Sequence, residues 1–244
     1  MRIAIVSDVH SNLEGLQAVL RHAEAGGPVD GVWCLGDIVG YGPEPSAVLA
    51  ELRRRALVAV AGNHDLAACG RMGVEEFNRT AAEAAVWSGE QLSEAERGYL
   101  RALPLTAVSG AFTLVHGSLR HPEWEYLLSS EQALAQFELQ QTAYSLVGHS
   151  HLPFWVEEEA GRSPEFRRAG DGTRLELGER RLIINPGSCG QPRDGDPRAS
   201  YVLYDDGAAT VTWHRIEYDI AETQRKMERA GLDAWLAERL AVGR

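Results

Sequence analysis

Along the first sixty residues the apolar positions fall into two alternating patterns. The runs "RIAIVS" at 2–7, "GVWCLG" at 31–36 and "LVAVAG" at 57–62 are short, nearly unbroken and rich in β-branched residues, which predicts strands. Between the first two, Leu13, Leu16, Val19, Leu20 and Ala23 recur at helical spacing behind Asn12, a residue type suited to capping a helix. "PSAVLAELRRRA" repeats the helical pattern before the third run. Strand, helix, strand, helix, strand, with strands apolar throughout, predicts a parallel βαβ sheet covered on both faces and so an α/β fold.

From Asp65 the pattern changes. "VEEFNRTAAEAAVWSGEQL" and "SEAERGYLRAL" predict two helices joined by a turn and closed by Pro104, a helical insertion at about 65–102 that either completes the core or caps a site. Beyond it the chain turns to strands: a hairpin of "TAVSG" and "AFTLVHG" around Gly110, a helix "SEQALAQFELQQ", then "YSLVGHS", "FWVEE", "TRLELGE", "RLIINPGS", "SYVLYDD" and "AATVTWHRIEYD". The charged, glycine-rich stretch 157–181 predicts a long exposed hairpin. A helical pair at about 218–241 is expected to pack on the rest and carry no chemistry.

Composition narrows the class. The chain has 244 residues, 44% of them hydrophobic, enough for one well-packed core and short for two, so a single domain over 1–244 is expected. Against 24 Lys and Arg stand 35 Asp and Glu, a formal charge of -11 that repels a phosphate backbone and disfavours long nucleic acid as a partner. The cysteines Cys34, Cys69 and Cys189 are too few and scattered for a disulfide framework or a thiolate metal site. No apolar run is long enough to cross a bilayer, and the expected setting is the cytoplasm.

Five predicted strand ends share one grammar, an apolar run followed at once by polar side chains. They are "IVSDVH" with Asp8 and His10, "CLGDIV" with Asp37, "AVAGNHD" with Asn63, His64 and Asp65, "LVHGS" with His116, and "LVGHSHL" with His149 and His151. Any one alone reads as a turn or a helix cap. Five together point to one site, because the carboxyl ends of strands in an α/β sheet converge on the edge where ligands bind. Asp, Asn and imidazole form a mixed oxygen and nitrogen donor set that suits Mn, Fe, Co, Ni or Zn better than Mg or Ca. Seven donors are too many for one such ion; with one Asp shared they suit two, and two ions about 3.5–4 Å apart clamp in-line displacement at phosphorus.

In order and content, "DVH" at 8–10, "GD" at 36–37, "GNHD" at 62–65, "HG" at 116–117 and "GHSH" at 148–151 resemble the motifs of the calcineurin-like metallophosphoesterases. Within that superfamily "CLGDIVGYGPEP", "FNRTAAEAAVW" and "NPGSCGQPRDGDPRASY" resemble a bacterial branch of small phosphodiesterase-like proteins. The resemblance implies a two-sheet β-sandwich flanked by helices, a four-layer αββα arrangement. It also implies that Asp8, His10 and His151 hold one metal, Asn63, His116 and His149 a second, and that Asp37 bridges them. His64 would face the substrate, as acid or electrostatic catalyst, with Asp65 fixing its tautomer or, as the plainer role, capping the helix that follows. "VGYG" and "GNHD" stand where the protein Ser/Thr phosphatases of the superfamily carry Asp-Arg-Gly and a Glu, which disfavours a phosphoprotein substrate.

The implied activity is hydrolysis of a small phosphodiester or phosphomonoester through a hydroxide bridging two divalent ions. Two ions bring +4, Asp8 and Asp37 -2 and hydroxide -1, so a site charge of about +1 attracts an anion to an acidic protein. Arg193 in "GQPRDGDPR" is a candidate phosphate clamp and Asn12 a weaker substrate contact, with a surface turn and a helix cap as their plainer roles. His121 lies close enough to His116 in sequence to line a pocket, whereas His22 and His214 read as ordinary. Two alternatives compete. One is a dinucleoside-polyphosphate hydrolase in which Tyr41 or Trp87 stacks on a base; the other is a non-catalytic scaffold binding metal or nucleotide.

Overall fold

The parallel start is present. In the computed structural model, which describes residues 1–244, strands β1 (Arg2–Val6), β2 (Gly31–Cys34) and β3 (Ala56–Ala59) lie parallel, linked by helices α1 (Leu13–Ala25) and α2 (Pro45–Arg55). Asn12 caps α1 by accepting from the Gly15 amide, and a proline at its first turn starts α2. On the other side of β1 the sheet continues antiparallel through β11 (Ala199–Asp205), β12 (Thr210–Ile216) and β9 (Arg174–Glu176).

A second sheet of six strands repeats this plan. Its order is β4 (Thr106–Ser109), β5 (Phe112–Val115), β6 (Tyr144–Leu146), β10 (Leu182–Pro186), β7 (Pro153–Glu157) and β8 (Arg167–Arg168). Strands β5, β6 and β10 are parallel, and β10 pairs antiparallel with β7. Helix α6 (Ser130–Leu139), capped by Ser129, covers its outer face.

Side-chain alternation along each strand decides the layers. Ile3 and Ile5 of β1 join Trp33, Phe112, Leu114, Leu146, Ile184 and Trp213 in the core between the sheets. Ala4 and Val6 face the other way, onto Leu16, Val19, Val48 and Leu52 of α1 and α2. In β10, Leu182 and Ile184 enter the inter-sheet core while Ile183 packs on Phe137 of α6. The result is the four-layer αββα sandwich, and strands buried on both faces explain the unbroken apolar runs.

Two expectations change. The stretch 157–181 is a hairpin only in its first part, where β8 pairs antiparallel with β7; the chain then leaves the second sheet and pairs as β9 with β12 of the first. The first inserted helix is shorter than its Glu-rich sequence suggested. Between α3 (Asn63–Ala68) and α4 (Arg79–Gln91), residues 74–78 form a turn that Asn78 closes by capping the Ala81 amide, and α5 (Glu94–Ala102) follows. The C-terminal helical pair is present where expected, as α7 (Ile220–Arg229) and a short α8 (Ala234–Glu238) that runs into a 3-10 turn at Arg239–Ala241.

Candidate metal centre

All nine residues singled out at the five strand ends are buried and lie along one edge, where the carboxyl ends of β1, β2, β3, β5 and β6 meet. Asp8, His10 and His151 bring ligand atoms within 4.8 Å of one another, and so do Asp37, His116 and His149. A third such set, His10, Asp37 and His64, places His64 beside the carboxylate that borders both groups.

The backbone is bent to make this happen. Asp8, His10, Asp37, His149 and His151 all have positive φ, between 47° and 63°, a region L residues with a Cβ seldom occupy. Each such residue costs on the order of 1–3 kcal/mol, and strain of this kind persists where surrounding structure over-determines it. Two glycines show what does so here. A Cβ on Gly62 would collide with the Asp37 carboxylate, and one on Gly40 with the His64 ring.

Hydrogen bonds then fix the imidazoles. Nδ1 of His10 donates to Val39 O at 3.1 Å, Nδ1 of His116 to Leu35 O at 2.8 Å, and Nδ1 of His151 to Gln191 O. His149 uses the other nitrogen, Nε2, to donate to Trp124 O at 3.1 Å. These bonds assign the tautomers and leave one lone pair per neutral ring pointing inward. His10 Nε2 and His151 Nε2 then face each other at 3.2 Å, as do His116 Nε2 and His149 Nδ1. Two facing lone pairs repel unless a proton or a metal stands between them.

The oxygens tell the same story. Neither carboxylate oxygen of Asp8 has a hydrogen-bond partner, nor has Asn63 Oδ1, although all three atoms are buried. Asp8 Oδ1 lies 3.3 Å from His151 Nε2, and Asp37 Oδ2 lies 3.3 Å from His116 Nε2 and 3.6 Å from His10 Nε2. Donors bound to one ion at about 2.0–2.2 Å sit roughly 3–3.5 Å apart, so these edges suit transition-metal coordination. The residues present fit a metal centre, with Asp37 placed between two sets of donors.

Without a metal, the charges sort themselves around Asp37. Burial opposes its ionisation, but His116, His64 and His10 outweigh burial and hold its carboxyl well below the usual range. Burial likewise works against a proton on His116, yet the Asp37 and Asp8 charges carry it up to about 9. Burial pushes Asp8 up to about 7, with His116 opposing and Asp37 adding to the rise. Burial pushes His64 down to about 4 against the pull of Asp37, with Arg193 and His116 lowering it further, so its ring is neutral near pH 7.

For two residues the plainer role read from the sequence, a helix cap, holds and the substrate-side role does not. Asp65 does not orient His64: its two oxygens accept from the Gly62 and Val39 amides, each at 3.0 Å, and staple the third strand end to the second. Asn12 does not face a substrate, since its oxygen caps α1 and its amide donates to Gly190 O at 2.8 Å. Arg193 does reach the site. Its guanidinium lies 5.7 Å from the centre of the Tyr41 ring, and that ring packs on His10 and His64. Tyr41 is buried there rather than free to stack on a base, and from the insertion Phe77 packs against His64.

Residues 1–207 match the calcineurin-like phosphoesterase superfamily domain. The chain belongs to that superfamily. As a calcineurin-like phosphoesterase it is similar over its whole length to a metallophosphoesterase from Sphaerobacter thermophilus, with 45% identity, a TM-score of 0.90, and 100% of this chain and 99% of that one covered. An uncharacterised protein of Methanocaldococcus jannaschii is 36% identical over 99% of this chain and 98% of its own length. The symmetrical bis(5'-nucleosyl)-tetraphosphatase of Vibrio cholerae is 30% identical over 140 residues, 55% of this chain and 50% of that enzyme. The match thus spans about half the length of that relative.

Sequence reasoning missed the loop that holds this phosphoesterase site from behind. Asn185 donates to Gly148 O and Ser150 Oγ, Ser188 to Asp8 O, and the Gln191 carbonyl receives His151. The signal was present: "RLIINPGSCGQ" is a sixth apolar strand ending in polar residues, with the same grammar as the other five.

Proposed function

We propose that the protein is a phosphoesterase that uses two divalent transition-metal ions, manganese among them, to hydrolyse a small phosphodiester or phosphomonoester. The observation that carries this reading is the two pairs of inward-facing imidazole nitrogens beside the unpartnered oxygens of Asp8 and Asn63, arranged about one shared carboxylate. Asp8, His10 and His151 would hold one ion, Asn63, His116 and His149 the other, and Asp37 both. When bound, the ions supply Lewis-acid polarisation of the phosphoryl group and acidify a water.

The chain's own residues do the rest. Asn63 offers a neutral oxygen, which adds no negative charge against the incoming phosphate. His64, neutral near pH 7, is suited to donating a hydrogen bond to a phosphoryl or leaving oxygen and is poorly suited to delivering a proton. Arg193 offers a fork of donors to phosphate. Tyr41 and Phe77 keep water from the His64 side. The three cysteines are free and buried, which fits a reducing, cytoplasmic setting, and no helix is long and apolar enough to cross a membrane.

The test is hydrolysis of bis-p-nitrophenyl phosphate and p-nitrophenyl phosphate by metal-stripped protein, with Mn, Ni, Co, Zn, Fe(II) or Mg added back. Turnover that requires a transition metal and collapses in His64→Ala is expected, and the preferred ester indicates the substrate class. Two bound ions with no turnover on any ester would favour a binding scaffold. The partial similarity to the Vibrio cholerae tetraphosphatase supports a second reading, a dinucleoside-polyphosphate hydrolase, which a nucleotide screen separates from the first.

A further inference from the structure

Three aromatic side chains line one side of the metal centre, and none of them offers it a ligand. Tyr126 stacks on His149 with ring centres 4.0 Å apart and planes 18° from parallel, and 41% of it remains exposed. His149 itself is buried, so the metal-centre ring lies behind Tyr126 and solvent in front. Trp124 lies 6.3 Å from the same His149 ring and meets Phe77 edge to face at 4.8 Å. Phe77 in turn meets the His64 ring edge to face at 5.1 Å. Phe77 and Trp124 are both only half-buried. An aromatic wall therefore runs from His64 to His149, with Phe77 supplied by the turn before α4 and Trp124 and Tyr126 by the loop after β5.

That loop is built to hold Tyr126 where it stands. Gly117, directly after His116, leaves room for it, since a Cβ there would lie 2.9 Å from His121 O and 3.1 Å from the Glu125 amide nitrogen. The Trp124 and Glu125 amides both donate to the His121 carbonyl, at 3.3 and 3.2 Å. The Glu125 carboxylate accepts from Ser118 Oγ and pairs with Arg120. On the other side Leu127 is buried among Val115, Phe137 and Phe154. With both neighbours fixed, Tyr126 keeps one ring face on His149 and presents the other to solvent. An open aromatic face already held in position favours a flat partner, because stacking gains contact over the whole ring and costs little further ordering. An ester's organic group begins one oxygen away from its phosphorus, so an ester held at these ligands has such a group within reach of the ring.

We propose that Tyr126, with Trp124 and Phe77 completing the wall, is a stacking platform for a planar aromatic group on the ester, an aryl ring or a nucleobase. This rests on the phosphoesterase reading and makes substrate choice the work of the loop after β5, in place of the buried Tyr41.

The test compares wild type with Tyr126→Leu, Tyr126→Phe and Trp124→Leu, all loaded with manganese in excess. Two matched pairs, phenylphosphonate with methylphosphonate and AMP with ribose 5-phosphate, are measured as inhibitors of the initial rate of bis-p-nitrophenyl phosphate hydrolysis and, separately, as ligands by calorimetry. Wild type is expected to bind the aromatic member of at least one pair more tightly. Tyr126→Leu should lessen that preference about three- to tenfold, the worth of one aromatic pair, and Tyr126→Phe should keep it. A fall in either Leu variant upholds the platform, and the pair in which it falls tells an aryl ring from a nucleobase. No preference in wild type, or one that neither Leu variant moves, overturns it. So does an equal loss for both members of each pair, which would make the ring a support for His149 and nothing more. The two readings fail separately. A preference by calorimetry that falls in Tyr126→Leu, in a protein that hydrolyses no ester, upholds the platform and overturns the hydrolase; turnover with an unmoved preference does the reverse.

Discussion

Replacing Asp65 by Ala separates two accounts of the "GNHD" motif. Its carboxylate accepts from the Gly62 and Val39 amides at 3.0 Å each, and both donors are sealed from water. Above pH 8, where this carboxyl, raised by burial to about 7, is ionised, each such bond contributes about 1.5–3 kcal/mol, so two are worth about 3–6 kcal/mol. Removing a buried carboxylate recovers part of its desolvation cost, which leaves a net loss of about 2–4 kcal/mol. In a chain of this size 1 kcal/mol moves the melting midpoint by about 2–4 °C, so calorimetry should record a drop of about 5–15 °C. Metal affinity should fall with it, because the Val39 carbonyl that holds His10 belongs to the stapled loop. Asp65→Asn, which keeps one acceptor and turns an amide group toward a donor, should fall between the two. If Asp65 instead acted through His64, Asp65→Asn would melt like wild type and lose its rate, and that pair of results would refute the staple.

Asp37→Ala should lose both ions, since its carboxylate borders both donor sets, whereas Asp8→Ala should lose one; elemental analysis of the purified variants decides, and two ions retained in Asp37→Ala would end the shared-ligand idea. Metal uptake by stripped protein should release between one and two protons near pH 7, because His116, held up at about 9, is protonated there and Asp8, raised to about 7, is partly so, while His10, His149 and His151 are already neutral. Apparent affinity should therefore rise with pH and level off above pH 9, which calorimetry in buffers of differing ionisation heat can check. The same raised value means that the His116 proton stabilises stripped protein fully below its unfolded value of 6.5 and ceases to do so as pH rises through about 9, a loss the loaded protein should not show. Asn185→Ala removes the amide that ties Gly148 and Ser150, and metal affinity should drop by about 10–100-fold, the usual effect of losing an outer support. Wild-type affinity in that variant would mean that the "GHSH" loop holds itself.

The residues proposed as metal ligands were legible because each stands at the end of an apolar run, and a run covered on both faces can hardly be mistaken. The choice between a helix cap and a substrate-side role for Asp65 and Asn12 was not. A carboxylate beside a histidine and an asparagine near a pocket have the same appearance in a string whether they face a substrate or a backbone amide, and only the path of the chain tells which. The loop of Asn185, Ser188 and Gln191 went unread for a related reason: it contributes hydrogen bonds to main-chain atoms and to ring nitrogens, and it offers no ligand of its own.

Local pattern, then, determined the α/β class, the strands that carry the site and the residues able to bind metal, because periodicity and donor chemistry are properties of neighbours in sequence. Tertiary structure alone decided that 157–181 crosses between sheets, that inward imidazole nitrogens face one another in pairs, and that the tail at Gly243 meets the loop of Gly195. Those outcomes depend on strand partners and on helix packing from distant segments, which cost the chain little entropy to bring together once the two sheets have closed on their common core.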